Sequence, residues 1–250
     1  MEKHLNWLYC NNTKIYIIDP EREYHKLAID YGGQIIPIGK SDNARINPLE
    51  IFCDDLLEHI SLLEQWFKIL YYSLSDIDLS LLQQTLLKLY KNFKITDKTE
   101  FNKLTASDYP TLSDLFNLIQ KQETTKKTKS NLYNILWKLA KGADGHLWNG
   151  ISNLSLKSDL IIFDTHELTS NKNRQNAQLF LMLSFLDKIV KQNKAKNEKL
   201  PITEQQWICI AIDEAHLLIN ENNILVLNFY LKWRNEFVSI MAFCTLWHKT

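Results

Sequence analysis

The segment Trp207–Ile219, WICIAIDEAHLLI, constrains the fold of this chain more than any other. Ile208, Cys209, Ile210, Ala211 and Ile212 make an unbroken apolar run, the mark of a strand buried on both faces of a parallel sheet. The run ends in paired carboxylates, Asp213 and Glu214. Open α/β sheets bind ligands beyond the carboxyl ends of their strands, so acids at this point stand where a ligand would lie. The first can hold Mg2+ through water, and the second can orient or deprotonate an attacking water. This is the Walker B pattern. The plainer alternative is an acid pair that caps the next helix.

The flanking segments extend the α/β reading. TKIYIID (13–19) is a short strand stopped at Asp19-Pro20, since proline offers no ladder donor. Glu21 to Asp30 reads as a helix with Tyr24, Leu27 and Ala28 inward, closed by Gly32-Gly33, and QIIPI (34–38) follows as a strand. SDLIIFDT (158–165) is a further buried strand ending in an acid. A helix from Arg174 to Val190 and a basic loop, KQNKAKNEK (191–199), lead back to the Walker B strand. Strand–helix–strand units in this order predict parallel pairing through right-handed crossovers.

Between these parts the apolar period changes to that of helices. Leu56, Leu57, Ile60, Leu63, Phe67, Leu70 and Tyr71 form one amphipathic stripe, and Leu81, Leu82, Leu86, Leu87 and Tyr90 form a second. Ser73 to Asp78 makes the turn between them. Pro110-Thr111 opens a third helix, 121–130 reads as a solvated linker, and Asn131 to Lys141 gives a last helix stopped at Gly142. The expected organisation is a first core segment (1–52), a helical insert (53–141) and a second core segment (142–250).

Composition excludes several function classes. Lys plus Arg and Asp plus Glu both number 29, so no overall field draws the chain to nucleic acid or membrane, and the basic loop 191–199 has few aromatics. Cys10, Cys53, Cys209 and Cys244 lack metal-ligand spacing and read as buried or half-buried thiols of a reducing compartment. His25, His59, His146 and His166 fall in separate segments, which favours surface or core roles over metal binding. No leader sequence opens the chain, and no apolar run reaches the roughly 18–20 residues needed to span a bilayer. A soluble cytoplasmic protein is expected.

A Walker B strand needs a phosphate-binding loop, GxxxxGK[ST], whose backbone N–H groups cradle the phosphates. Gly39-Lys40-Ser41 imitates its end. Gln34 stands where the first glycine belongs, and the residues after Ser41 are turn-forming rather than helical. On this reading the loop lies upstream of Met1, residues 2–10 are the tail of the helix behind it, and the chain starts in mid-fold.

Five blocks taken together, YIIDPEREYHKLAIDYGGQIIPI, RINPLEIF, YPTLSDLFNLI, GHLWNGISNLSLKSDLIIFDTHEL and WICIAIDEAHLLI, resemble the conjugal transfer and type IV secretion ATPases of the TraE/TraG type. These belong to the HerA–FtsK branch of the P-loop NTPases. The blocks run collinearly from about residue 13 to 240, and DPEREY is the most distinctive of them. The resemblance implies a parallel RecA-like ATPase core, truncated here, with an all-helical inserted subdomain. It also implies a hexamer that binds ATP and Mg2+ on the cytoplasmic face of a secretion channel, peripheral to the membrane. Asp213 would coordinate Mg2+ through water and Glu214 would be the catalytic base. Asp19, Pro20, Glu21, Glu23 and Tyr24 match the family's block near the nucleotide. Arg234 matches an arginine that reaches the neighbouring subunit's phosphate, its alternative being an ordinary surface arginine.

Two departures accompany the resemblance. The phosphate loop is missing, and Leu246 replaces the glutamine that would follow Thr245 and sense the γ-phosphate. Both ends then fall within the fold, as expected of a cut reading frame or split gene from a mobile element, and loss of the loop's strand predicts a gap in the sheet. Three readings follow. One is a motor-ATPase remnant without turnover of its own, another is a split ATPase completed by a separate piece, and the third is a non-catalytic interaction module docking through its helices. A DEAH-box helicase is set aside, because no Ser-Ala-Thr motif follows Asp213–His216.

Overall fold

A computed structural model describes residues 12–39, 44–124, 128–213 and 242–243 of the chain. They divide into two compact units. One lies within 1–40, 155–175 and 186–250, and the other comprises 41–154 and 176–185.

The first unit is built on a parallel sheet. Its elements are β1 (Thr13–Asp19), α1 (His25–Asp30) and β2 (Gln34–Pro37). The second unit follows with α2 (Leu56–Leu70), α3 (Asp76–Asn92), α4 (Leu112–Gln122), α5 (Asn131–Ala140) and the single turn α6 (Gly145–Trp148). The chain then returns to the sheet with β3 (Leu160–Asp164), α7 (Lys172–Asn197), β4 (Trp207–Ile212) and the short β5 (Ala242–Phe243). Strand order is β2-β3-β1-β4-β5, with every pair parallel. Neighbouring strands are hydrogen-bonded throughout, so no gap separates the described strands. Pro37 is tolerated because β2 is the edge strand among the described residues.

Register explains why the strands are apolar without interruption. Ile15 lies beside Leu160 on one side and Cys209 on the other, and Ile17 lies beside Ile162 and Ala211. These side chains form one face and pack with Tyr24, Leu27 and Ala28. Tyr16 and Phe163 stack at 6.3 Å on the opposite face, and Ile18, Ile161, Ile210 and Ile212 are buried there too. A sheet covered on both sides has no use for alternating polar residues. Burial pushes the Cys209 thiol up to about 12, so it stays protonated and unreactive at neutral pH. Alkylation of the native protein is expected to spare Cys209 and to reach it only on unfolding, as peptide mapping would show; labelling at the rate of a free thiol would contradict this packing.

Three local expectations change in the structure. The helix expected over Glu21–Asp30 begins at His25, because the Asp19 carboxylate takes the Glu23 and Tyr24 amides and holds the preceding residues in a turn. The expected loop at 191–199 is helical as far as Asn197. The Asn193 and Asn197 amides both donate to the Gln206 carbonyl at 2.8 Å, which ties the end of α7 to the start of β4. The linker expected over 121–130 is partly structured. Glu123 is fully buried and accepts from the Ser130 amide, and Ser130 caps α5.

In the helical unit, asparagines join segments far apart in sequence. Asn47 is fully buried; its backbone amide donates to Ser152 Oγ, its side-chain amide donates to the Pro110 carbonyl, and its Oδ1 accepts from the Leu49 amide. Asn149 accepts from the Ser113 amide and donates to the Ala140 carbonyl. The RINPL, YPTLSD and GHLWNG blocks therefore meet in this unit. Tyr90 donates to the Leu49 carbonyl, so its oxygen accepts from His59 Nε2 at 2.9 Å. At the centre, Trp66 and Trp148 meet edge to face at 5.2 Å, and Trp148 Nε1 donates to Gln178 Oε1.

Candidate nucleotide site at the carboxyl edge of the sheet

Three acids stand at the carboxyl ends of three adjacent strands. Asp19 ends β1 and is in register with Asp164 at the end of β3, while Asp213 follows β4. Backbone bonds draw these ends together: the Thr165 amide donates to the Asp19 carbonyl at 3.1 Å, and the Asp213 amide donates to the Ile18 carbonyl at 3.0 Å. β1 is thus the central strand of the group. Its outgoing chain runs past β3 to β2 on one side, whereas β5, the described strand that follows its other neighbour β4 in sequence, lies on the opposite side. Adjacent strands whose connections diverge create the crevice in which open α/β sheets hold ligands.

Each residue named from the sequence has a distinct place. Asp19 is fully buried, with Oδ1 accepting from the Glu23 amide at 3.1 Å and Oδ2 from the Tyr24 amide at 3.0 Å. It organises the turn and the first residues of α1. Tyr24 is buried among the residues under α1, and Glu21 is exposed on the turn. Asp213 is half-buried at the sheet edge, and its carboxylate offers hard oxygen ligands of the kind Mg2+ takes. Among the described residues, no group of three or more His, Cys, Asp or Glu side chains is gathered to hold a metal ion. Glu214, Arg234, Lys40, Ser41 and Leu246 lie outside the described residues; Gly39 is described, with φ of +85°.

The sequence reading missed a second cluster beside these acids. Arg22 Nε donates to Asp164 Oδ2 at 2.9 Å, and Nη2 donates to Glu167 Oε1 at 3.0 Å. His25 Nε2 lies 3.5 Å from the same Asp164 oxygen, the His166 amide donates to Asp164 Oδ1, and His166 Nδ1 donates to the Pro20 carbonyl. Bonds from Glu167 and Asp164 hold the Arg22 guanidinium above its ordinary pKa. The signal was present in the sequence. FDTHEL places an acid at a strand end as IIDPER does, and the two segments are register neighbours.

The parallel sheet and the helical unit match the fold of a RecA-like core with a helical insertion. VirB4 of Thermoanaerobacter pseudethanolicus has this architecture: its structure superposes with a TM-score of 0.80 at 27% identity, over 92% of this chain and 60% of VirB4. The chain has a conjugal transfer and type IV secretion ATPase-like fold, and it spans about 60% of the length of VirB4. The bacterial conjugative coupling protein TrwB with sulphate overlaps at a TM-score of 0.32 and 12% identity, over 90% of this chain and 61% of TrwB. TrwB with the GTP analogue GDPNP overlaps at 0.28 and 10%, over 84% and 58%. No family profile matches the sequence, and no curated protein matches it. Among the described residues, no helix is long and apolar enough to cross a membrane.

Proposed function

We propose that this chain is the Walker B-bearing part of a type IV secretion or conjugation motor ATPase, which couples ATP hydrolysis to the transfer of DNA or protein. The observation that carries this reading is the convergence of Asp19, Asp164 and Asp213 on one edge of a VirB4-like sheet. Asp213 would hold Mg2+, which supplies charge for the developing phosphate oxygens. Glu214 would orient and deprotonate the attacking water, and Arg234 would serve the neighbouring subunit's phosphate in a hexamer. Asp19 fixes the turn that presents Glu21, with Tyr24 seated beneath it. Residues 53–141 form the inserted subdomain between core segments 1–52 and 142–250, and the motor works in the cytoplasm, at the inner face of the membrane beside its channel.

These 250 residues contain no GxxxxGK[ST], which favours a second element in the reading: a segment outside them supplies the phosphate loop. The chain alone then grips nucleotide weakly and does not turn it over. Titration of a fluorescent ATP analogue, with and without Mg2+, tests this. Weak but saturable, magnesium-dependent binding that is lost in Asp213→Ala is expected, with no phosphate release. Absence of binding would leave a non-catalytic docking module as the better account, and binding indifferent to Asp213→Ala would place the site elsewhere.

A further inference from the structure

Arg22 has an unusual backbone. Its φ of +62° is left-handed, a region that disfavours residues with a Cβ and suits glycine or asparagine. A long cationic side chain at such a position needs a compensating interaction, and strained residues of this kind gather at functional sites. The compensation is divided unequally. Nε is held by Asp164, whose side chain is 5% exposed, whereas Nη2 is held by Glu167, whose side chain is 41% exposed. A charge-assisted bond to a buried carboxylate fixes orientation. An ion pair with an exposed glutamate is weak and exchanges readily with other acceptors. The guanidinium is one-third exposed at the ligand-bearing edge of the sheet, anchored at its inner nitrogen and loosely restrained at its outer one.

We propose that Arg22 is a phosphate-contacting residue of this site, aimed by Asp164 and parked on Glu167 until nucleotide displaces that carboxylate. A phosphate presents two oxygens to the guanidinium fork and is the better partner for it. The surroundings set a condition on the ligand. Glu21 and Glu23 flank Arg22 in the turn, Glu167 pairs with it and Asp213 follows the neighbouring strand β4, with His25 and His166 close by, so a bare polyphosphate meets repulsion. The phosphates arrive as their magnesium complex, with Arg22 reading an oxygen the metal leaves free. Asp164 is a positioning residue here and does not touch the ligand.

This proposal rests on the nucleotide reading above, and one set of variants separates the two. The magnesium complex of a fluorescent ATP analogue is titrated into wild-type chain, Arg22→Gly, Arg22→Asn and Glu167→Gln, with a thermal melt of each. Glycine and asparagine both accept the left-handed backbone but take the guanidinium from the buried Asp164 carboxylate, so each variant is expected to melt somewhat lower than wild type while keeping one cooperative transition. Affinity is expected to fall roughly 10- to 100-fold in both, the loss of a hydrogen bond to a charged partner. Glu167→Gln is expected to bind a few-fold more tightly, its competition removed. Wild-type affinity in Arg22→Gly and Arg22→Asn would overturn the role of Arg22 while leaving the nucleotide reading intact. A wild-type chain without saturable binding would remove both. Weakening in Glu167→Gln equal to that in Arg22→Gly would overturn the parking of Arg22 on Glu167.

Discussion

Asp19→Ala is expected to destabilise the sheet-bearing unit by about 3 kcal/mol, because it strands two backbone N–H donors at roughly 1–3 kcal/mol each. The Tyr24 amide is buried and the Glu23 amide partly so, and water does not freely replace the carboxylate at either. The change also releases the turn that starts α1, whose residues Leu27 and Ala28 cover one face of the sheet. Asp19→Asn is the informative control. It keeps the shape and one acceptor but turns an N–H donor towards a second N–H, so it should lose about half as much, on the order of 1–2 kcal/mol. Urea unfolding followed by circular dichroism would measure both. A loss below about 1 kcal/mol for the alanine variant would mean that these two bonds do not hold the turn.

Trp148→Ala should have the largest effect in the helical unit, about 4 kcal/mol, the typical cost of removing a fully buried large aromatic. Trp148 is fully buried, meets Trp66 edge to face at 5.2 Å, and donates to Gln178 Oε1 at 2.6 Å. Trp148→Phe isolates part of that sum. It retains a ring against Trp66 but leaves the Gln178 oxygen unpartnered by the indole, at a cost of about 1–3 kcal/mol. Near-ultraviolet circular dichroism should lose the paired-indole signal in both variants. An alanine variant as stable as the phenylalanine one would show that the ring is not packed as described.

The strands were legible because their residues answer a single demand. A parallel strand covered on both faces must be apolar through its buried middle, and residues 15–18, 160–163 and 207–212 meet that condition without a polar break. The helices of the second unit were legible for the complementary reason: Leu112, Leu115, Phe116 and Ile119 repeat at the helical period, and Thr111 caps them through Asp114. What remained hidden depends on contacts distant in sequence. Nothing local in KQNKAKNEK tells that Asn193 and Asn197 will find the Gln206 carbonyl, so a helical stretch resembles a basic loop. Nothing in DPEREY shows that Asp19 will bond the amides that a helix from Glu21 would use, delaying α1 to His25. The candidate site was half visible for the same reason. Asp19 and Asp213 could be named as strand-end acids, but Arg22, Asp164 and Glu167 become a unit only when β1 and β3 pair in register.

The central claim, that the carboxyl edge of this sheet is a metal–nucleotide site, is tested most directly by iron-directed cleavage. Fe2+ replaces Mg2+ in a complex with ATP, peroxide is added, and backbone cuts are mapped by mass spectrometry. Nucleotide-dependent cuts beside Asp213 and in the Asp19–Arg22 turn, both absent in Asp213→Ala, are the predicted result. Cuts confined to other segments, or cuts unaffected by nucleotide and by Asp213→Ala, would contradict it.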